Sequence, residues 1–363
     1  MLRKRALTQA TEILKHNDAV LPCRSYVSYL FPSKRSSRRL LHLLGGVLFV
    51  VYGLFPTAFY FSGWFRRFMI FGHYINWPMI ASFTNTEYYG LPVTRPFFVA
   101  STDHVLLGTW HVMPKSQWSR CSSGINPNTE FDDDRPVIIY YHGHAETRAT
   151  DYRVQLYKTL SQSEVDAHVI TFDYRGFGDS TNVMPSKKGV IEDSLAVYNW
   201  VKERVPRSRI IVWGHSLGTG VAVQLGEIFA AQHDNPAAIV LEAPFNSLKE
   251  AALKWPLGLP FRYIPGAEKL VERLADDGTY FESEQKVGRI TAPTLVMHSK
   301  DDPLVPYELG RKLFERLKMD RRSDVPPAEF YDVDSSVGPG HRRIYKDPNF
   351  PNVVSKFIGK WTQ

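Results

Sequence analysis

Ile210-Ile211-Val212-Trp213-Gly214-His215-Ser216-Leu217-Gly218 is an apolar run that ends in a Gly-x-Ser-x-Gly turn, and a helix-patterned stretch, Leu217–Ala231, follows at once. A serine on so tight a strand-to-helix turn is forced into strained backbone geometry. The flanking glycines remove side chains that would otherwise clash, which leaves the hydroxyl exposed above the sheet. The first N–H groups of the helix also favour negative charge developing beside the serine. Alone the motif is weak, since Gly and Ser are common. Between this strand and this helix it marks Ser216 as a nucleophile.

A serine hydroxyl needs a base, and the base needs an acid to orient it. Around such a turn the acid and the histidine follow the serine along the chain, in that order. After Ser216 the histidines are His233, His298 and His341. His233 falls beside Asp234 at a helix end and reads as a surface residue. His298 ends an apolar strand and reads as structural. His341 stands in a Gly-rich loop after the last strand, where a base can be delivered to the sheet edge, and it is the expected base. The acid should follow the strand Thr294–Met297, where Asp301 and Asp302 compete. Neighbouring loop residues cannot both face one imidazole, so Asp302 is expected, with Asp301 as the alternative.

Acyl transfer also needs donors for an oxyanion. The main-chain N–H of Leu217, next to the nucleophile, should be one. The second should come from the loop after Val137–Tyr141, where Gly143 permits close approach and His144 would donate through its backbone. No metal or cofactor is required by this chemistry. Asp173–Ser180 is a tight glycine loop without the spacing of a dinucleotide loop, and reads as support for the site. Glu192 and Asp193 read as a charge pair in the first turn of a helix.

Outward from the serine, short β-branched runs alternate with helical patterns. Phe97–Val112 reads as two leading strands. Val137–Tyr141, Ala167–Phe172, Ile210–Trp213, Ala238–Leu241, Thr294–Met297 and Glu329–Val333 read as further strands. Helical stretches are expected at Arg148–Leu160, Val190–Val205, Leu217–Ala231, Tyr307–Lys318 and near Asn352–Lys360. This alternation implies an α/β fold: a mainly parallel central sheet with right-handed crossovers and helices on both faces. Residues 90–363 form the catalytic domain. A Pro- and aromatic-rich insertion at 246–290, with Trp255, Leu257, Leu259, Phe261, Tyr263 and Ile264, interrupts the alternation and is expected to cap the site.

The formal net charge of +7 resides in residues 1–39, which hold nine Lys/Arg against Glu12 and Asp18. The remainder is neutral, with 35 basic and 35 acidic residues, so no nucleic-acid partner is indicated. From Leu40 to Phe65 there is no Asp, Glu, Lys or Arg, and about 20 apolar residues suffice for a helix to cross a bilayer. Pro56 should kink or end its most regular part. Lys34, Arg35, Arg38 and Arg39 precede the span while only Arg66 and Arg67 follow closely. The N-terminal tail is therefore expected in the cytosol and the catalytic domain across the membrane. Residues 66–89 read as an interfacial linker. The two cysteines, Cys23 and Cys121, flank the span and build no disulfide framework.

HGHAETRA (142–149), FDYRGFGDS (172–180), GHSLGTG (214–220), EAPFNS (242–247), HSKDDPLVP (298–306) and GPGHRRIY (338–345) together resemble the integral-membrane α/β-hydrolase lipases that act on monoacylglycerols and lysophosphatidylserine. The resemblance implies the α/β-hydrolase fold and a membrane-bound serine hydrolase of lipid acyl esters in the endoplasmic reticulum. It carries the roles of nucleophile, acid and base onto Ser216, Asp302 and His341, and implies a lipid substrate at a bilayer. It departs from the family pattern at His144, where a small or amide side chain is more usual. A protein S-acyl thioesterase and a catalytically silent membrane scaffold are the competing readings. Oligomeric state, head group and acyl-chain length are left open.

Overall fold

A computed structural model describes residues 34–362 apart from 80, 122–123, 256–257, 259–261, 263–265, 277–279, 334–335, 337 and 339. The basic tail before residue 34, and five residues of the insertion (Leu257, Leu259, Phe261, Tyr263 and Ile264), lie outside the described residues. The chain divides into two units, Met1–Thr57 and Ala58–Gln363.

In the first unit, α1 (Lys34–Phe49) runs into a π-helical turn, Val50–Leu54. The N–H of Phe55 donates to the carbonyl of Val50, five residues back. This widened turn sits directly ahead of Pro56, where a proline would otherwise clash with the preceding turn. Helix continues through α2 (Phe55–Phe61), so Pro56 does not end it. Ser36–Phe61 is a 26-residue helix long and apolar enough to cross a membrane.

In the second unit, Ser62 caps α3 (Gly63–Phe71), its hydroxyl accepting from the Phe65 N–H. The sheet then forms from β1 (Thr94–Ala100), β2 (Leu106–Val112), β3 (Val137–Tyr141), β4 (His168–Phe172), β5 (Ile210–His215), β6 (Ala238–Glu242), β7 (Thr294–Ser299) and β8 (Glu329–Val333), in the spatial order 1-2-4-3-5-6-7-8. β1 and β2 pair antiparallel, as do β2 and β4, and every later pairing is parallel. β3 to β7 are buried at every position, which is why their sequences are unbroken apolar runs rather than alternations.

Both faces of the sheet are covered. α4 (Asp151–Gln162) and α11 (Phe350–Trp361) join one core cluster with Tyr140 and Trp213. α5 (Lys187–Lys202) and α6 (Leu217–Ala231) meet through Tyr198 and Phe229, whose ring centres are 4.2 Å apart. Between β6 and β7 the insertion supplies α7 (Leu248–Lys254), α8 (Ala267–Asp276) and the single-turn α9 (Ser283–Lys286). α10 (Tyr307–Asp320) bridges β7 and β8.

Two charged positions differ from their sequence reading. α4 begins at Asp151, not Arg148. Arg148 turns inward, with its N–H 2.7 Å from Asp173 Oδ1 and its guanidinium 2.6 Å from both Asp173 and Asp179. Asp193 is not a solvated first-turn charge: it is fully buried and bound by Arg175 and the hydroxyl of Ser101. Both pairs anchor the 173–180 loop, because a buried charge without a partner would be prohibitively costly.

Candidate active site

The turn after β5 follows from its sequence atom by atom. Ser216 has φ 52° and ψ −117°, a left-handed conformation that strains any residue except glycine. A Cβ on Gly214 would lie 2.4 Å from the carbonyl oxygen of Gly218, and one on Gly218 would lie 2.0 Å from that of Tyr141. Neither position accepts a side chain. The turn is pinned by the Ser216 N–H, which donates to the main-chain oxygen of Glu242 at 2.9 Å, and by Thr219, whose N–H and hydroxyl both donate to the Ser216 carbonyl.

The structure brings together three side chains from distant parts of the chain. Nε2 of His341 is 3.0 Å from Oγ of Ser216, and Nδ1 of His341 is 2.7 Å from Oδ2 of Asp302. All three residues are buried. Oδ1 of Asp302 accepts from the main-chain N–H groups of Leu304 at 2.8 Å and Val305 at 2.9 Å. Burial alone would push the Asp302 carboxyl up. Electrostatic attraction to His341 and the hydrogen bonds of His298 and His341 outweigh it and hold Asp302 well below the usual carboxylate range. An ionised carboxylate only accepts, so the proton of His341 sits on Nδ1 and Nε2 is free to take one from Ser216. Asp301 faces Ser299 instead.

His298, read from the sequence as structural, touches the same carboxylate: its Nε2 is 3.1 Å from Asp302 Oδ2 and 3.0 Å from the carbonyl of Val305. The 298–306 segment thus folds back on Asp302 through His298, Leu304 and Val305.

Gly143, His144, Ser216 and Leu217 line a common pocket. Leu217 opens α6, so its N–H is one of the helix donors that have no partner within the helix. The His144 imidazole hydrogen-bonds the main chain of Met69, and burial pushes its pKa down to about 4, so it is neutral there. Under this loop lies Arg153, fully buried, which donates to the carbonyls of Thr147 and Ala145 at 2.9 Å. On its outer side the same loop is laced to the segment after α3: Ala145 N–H donates to Phe71, Glu146 to Ile75 and Thr147 to Trp77. These partners were not visible in the sequence, which shows only a polar stretch following an aromatic one.

Met69 and Ile70 from α3, Leu248 and Ala252 from α7, and Trp255 give the pocket its apolar wall, and the space within is about 150 Å³. Trp255 packs edge-on against His144 with ring centres 5.8 Å apart. Leu248, Ala251, Ala252 and Trp255 of the insertion thus line the same pocket as Ser216.

The chain matches the alpha/beta hydrolase fold family over residues 136–264. It is 34% identical to a zebrafish (Danio rerio) protein named lysophosphatidylserine lipase ABHD12, over 89% of this chain and 84% of that one. The chain belongs to the ABHD12 family of α/β-hydrolases. The rat (Rattus norvegicus) member is 35% identical over 80% of this chain and 73% of its own, and human protein ABHD12B is 35% identical over 74% of each. An esterase of Pyrococcus furiosus superposes with a TM-score of 0.57 over 80% of this chain and 98% of its own, at 19% identity, a likeness of fold. Membership of the ABHD12 family makes this chain a hydrolase and accords with its membrane-spanning candidate helix.

Proposed function

We propose that this protein cleaves fatty-acyl esters of lysophospholipids or monoacylglycerols through an acyl-enzyme, at the surface of the membrane that holds its N-terminal helix. The carrying observation is the unbroken hydrogen-bonded line Asp302–His341–Ser216, which opens into an apolar pocket. Oγ of Ser216 attacks the acyl carbonyl as His341 Nε2 takes its proton. Asp302 keeps the imidazole oriented and stabilises its charged form. The main-chain N–H groups of His144 and Leu217 receive the oxyanion. The imidazolium then protonates the leaving glycerol oxygen, and water, deprotonated by the same His341, releases the fatty acid and restores Ser216.

A lipid substrate is supported by the apolar wall, by the candidate span and by the relatives' being named lysophosphatidylserine lipases. It is supported too by Trp64, Tyr74, Trp77 and Met79, large apolar side chains left exposed in the 63–79 stretch. Aromatic rings of this kind favour the bilayer interface. The excess of Lys and Arg before the span supports a cytosolic N-terminus and a catalytic domain across the membrane, which in the endoplasmic reticulum that the family resemblance implies is the lumenal side. Protease protection in sealed microsomes tests that orientation: residues 66–363 should survive until detergent is added.

The enzymatic reading is tested with purified protein in mixed micelles of lysolipid or monoacylglycerol. Wild type should hydrolyse the ester and take up a fluorophosphonate probe. Ser216→Ala should lose both, with a rate reduced by about 10⁶. Activity retained by Ser216→Ala would refute the proposal.

A further inference from the structure

The pocket beside Ser216 is charged at one point. Among the described residues lining it, Arg342 alone carries a permanent charge. The others are apolar or glycine, apart from Ser216, Tyr152 and three histidines, of which His144 and His215 are held neutral by burial. Arg342 directly follows His341 in the chain and lines the same pocket as Ser216.

That cation has a built-in seat. Its Nη1 lies 3.4 Å from Oε1 of Glu146, and its guanidinium carbon lies 5.2 Å from the centre of the Tyr152 ring. Glu146 is itself fixed: Tyr152 donates its hydroxyl to Oε2 at 2.9 Å, and the Glu146 N–H is tied to Ile75. The contact is looser than the 2.7–2.9 Å of a tight charge-assisted bond, and the Arg342 side chain is 47% exposed. Glu146 thus parks the guanidinium at the pocket mouth without consuming it. A planar fork of N–H donors in that position matches a phosphate bidentately.

In a lysophospholipid the phosphodiester follows the scissile ester by only the glycerol carbons. We propose that Arg342 is the head-group subsite of this enzyme, binding the phosphodiester of a lysophospholipid whose acyl ester lies at Ser216, with Glu146 holding the guanidinium ready. The assignment rests on the lipase reading above and makes Arg342 the residue that separates lysophospholipids, which carry a phosphodiester, from monoacylglycerol, which does not.

The test compares kcat/KM for lysophosphatidylserine, lysophosphatidylcholine and monoacylglycerol of one acyl chain, using full-length wild type, Arg342→Gln and Arg342→Lys in the same micelles. Fluorophosphonate labelling of Ser216 serves as the check on folding. The ratio of each lysophospholipid to monoacylglycerol should fall about ten- to hundredfold in Arg342→Gln, the scale of a lost hydrogen bond to a charged group, and recover in part in Arg342→Lys, which keeps the charge but not the fork. Ratios that stay put in a labelled Arg342→Gln overturn the subsite alone. A fall confined to lysophosphatidylserine overturns the phosphodiester assignment. A wild type that hydrolyses none of the three overturns the lipase reading and the subsite with it.

Discussion

His215 donates a hydrogen bond from Nε2 to the main-chain oxygen of His341 at 2.7 Å. The residue beside the serine therefore grips the backbone of the residue that faces the serine. Burial pushes the His215 pKa well below its ordinary value, so it is a neutral donor with a fixed tautomer. His341 sits in a loop of glycines, and this bond is what fixes its main chain relative to the elbow. Replacing His215 by Leu leaves a buried carbonyl unpaired, at a cost of about 1–3 kcal/mol. Steady-state kinetics should show kcat reduced about tenfold or more, while a Ser216 probe still reacts slowly.

The sequence favours Asp302 over Asp301, and the two have different partners: Asp302 meets His341 and Asp301 meets Ser299. Asp302→Asn should lower kcat by about 10⁴, because an amide presents the imidazole with the wrong donor pattern. Asp301→Asn, which alters a contact to Ser299, should cost less than about tenfold. Parallel assays of the two variants on one substrate decide the matter, and the reverse ranking would move the acid to Asp301.

Arg148 joins Asp173 and Asp179 beneath the loop that carries His144, with Phe83 stacked at 4.4 Å from its guanidinium carbon. Arg148→Met would strand Asp173, a fully buried carboxylate. Breaking such a pair from one side costs about 3–5 kcal/mol. Thermal melts in detergent should show a midpoint lower by roughly 10 °C.

Glu242 gives the stability a pH dependence with a defined sign. The carboxyl is fully buried at the end of β6, and burial pushes its pKa from 4.5 up to about 7, against the opposing hydrogen bond from the Trp213 indole. Between these values the native state keeps a proton that the unfolded chain has released. The stabilisation is complete below about pH 4.5 and is lost as pH rises through about 7. Glu242→Gln cannot ionise, so its stability relative to wild type should climb by up to about 3 kcal/mol between pH 4.5 and pH 8. Denaturant titrations of both proteins at the two pH values check this, and a flat difference would contradict it.

The fold was legible because its decisive elements are local. β3, β4, β5, β6 and β7 are buried on both faces and so declare themselves as apolar runs, and Gly214 is demanded by a contact with Gly218 inside the same turn. The members of the candidate site were legible one at a time, each from the strand it follows. What joins them was not. Asp193 reads as a first-turn helix charge until Arg175, from another loop, is seen to cover it. Arg148 reads as the start of a helix until Asp173 claims its N–H. Met69 and Ile70 read as interface until α3 is seen to line the pocket. Arg342 is one of two adjacent arginines, and its place in the pocket wall and its contacts with Glu146 and Tyr152 separate it from Arg343. Each depends on a partner remote in sequence, which periodicity and spacing do not encode.

The central claim is that an acyl group passes through Ser216, and rapid acid quench of enzyme mixed with lysophosphatidylserine, followed by peptide mass mapping, tests it most directly. A fatty-acyl adduct is expected on the peptide bearing Ser216, absent from Ser216→Ala and forming far more slowly in His341→Ala, which lacks the base for acylation. An adduct on a different side chain, or full turnover by Ser216→Ala, would contradict it.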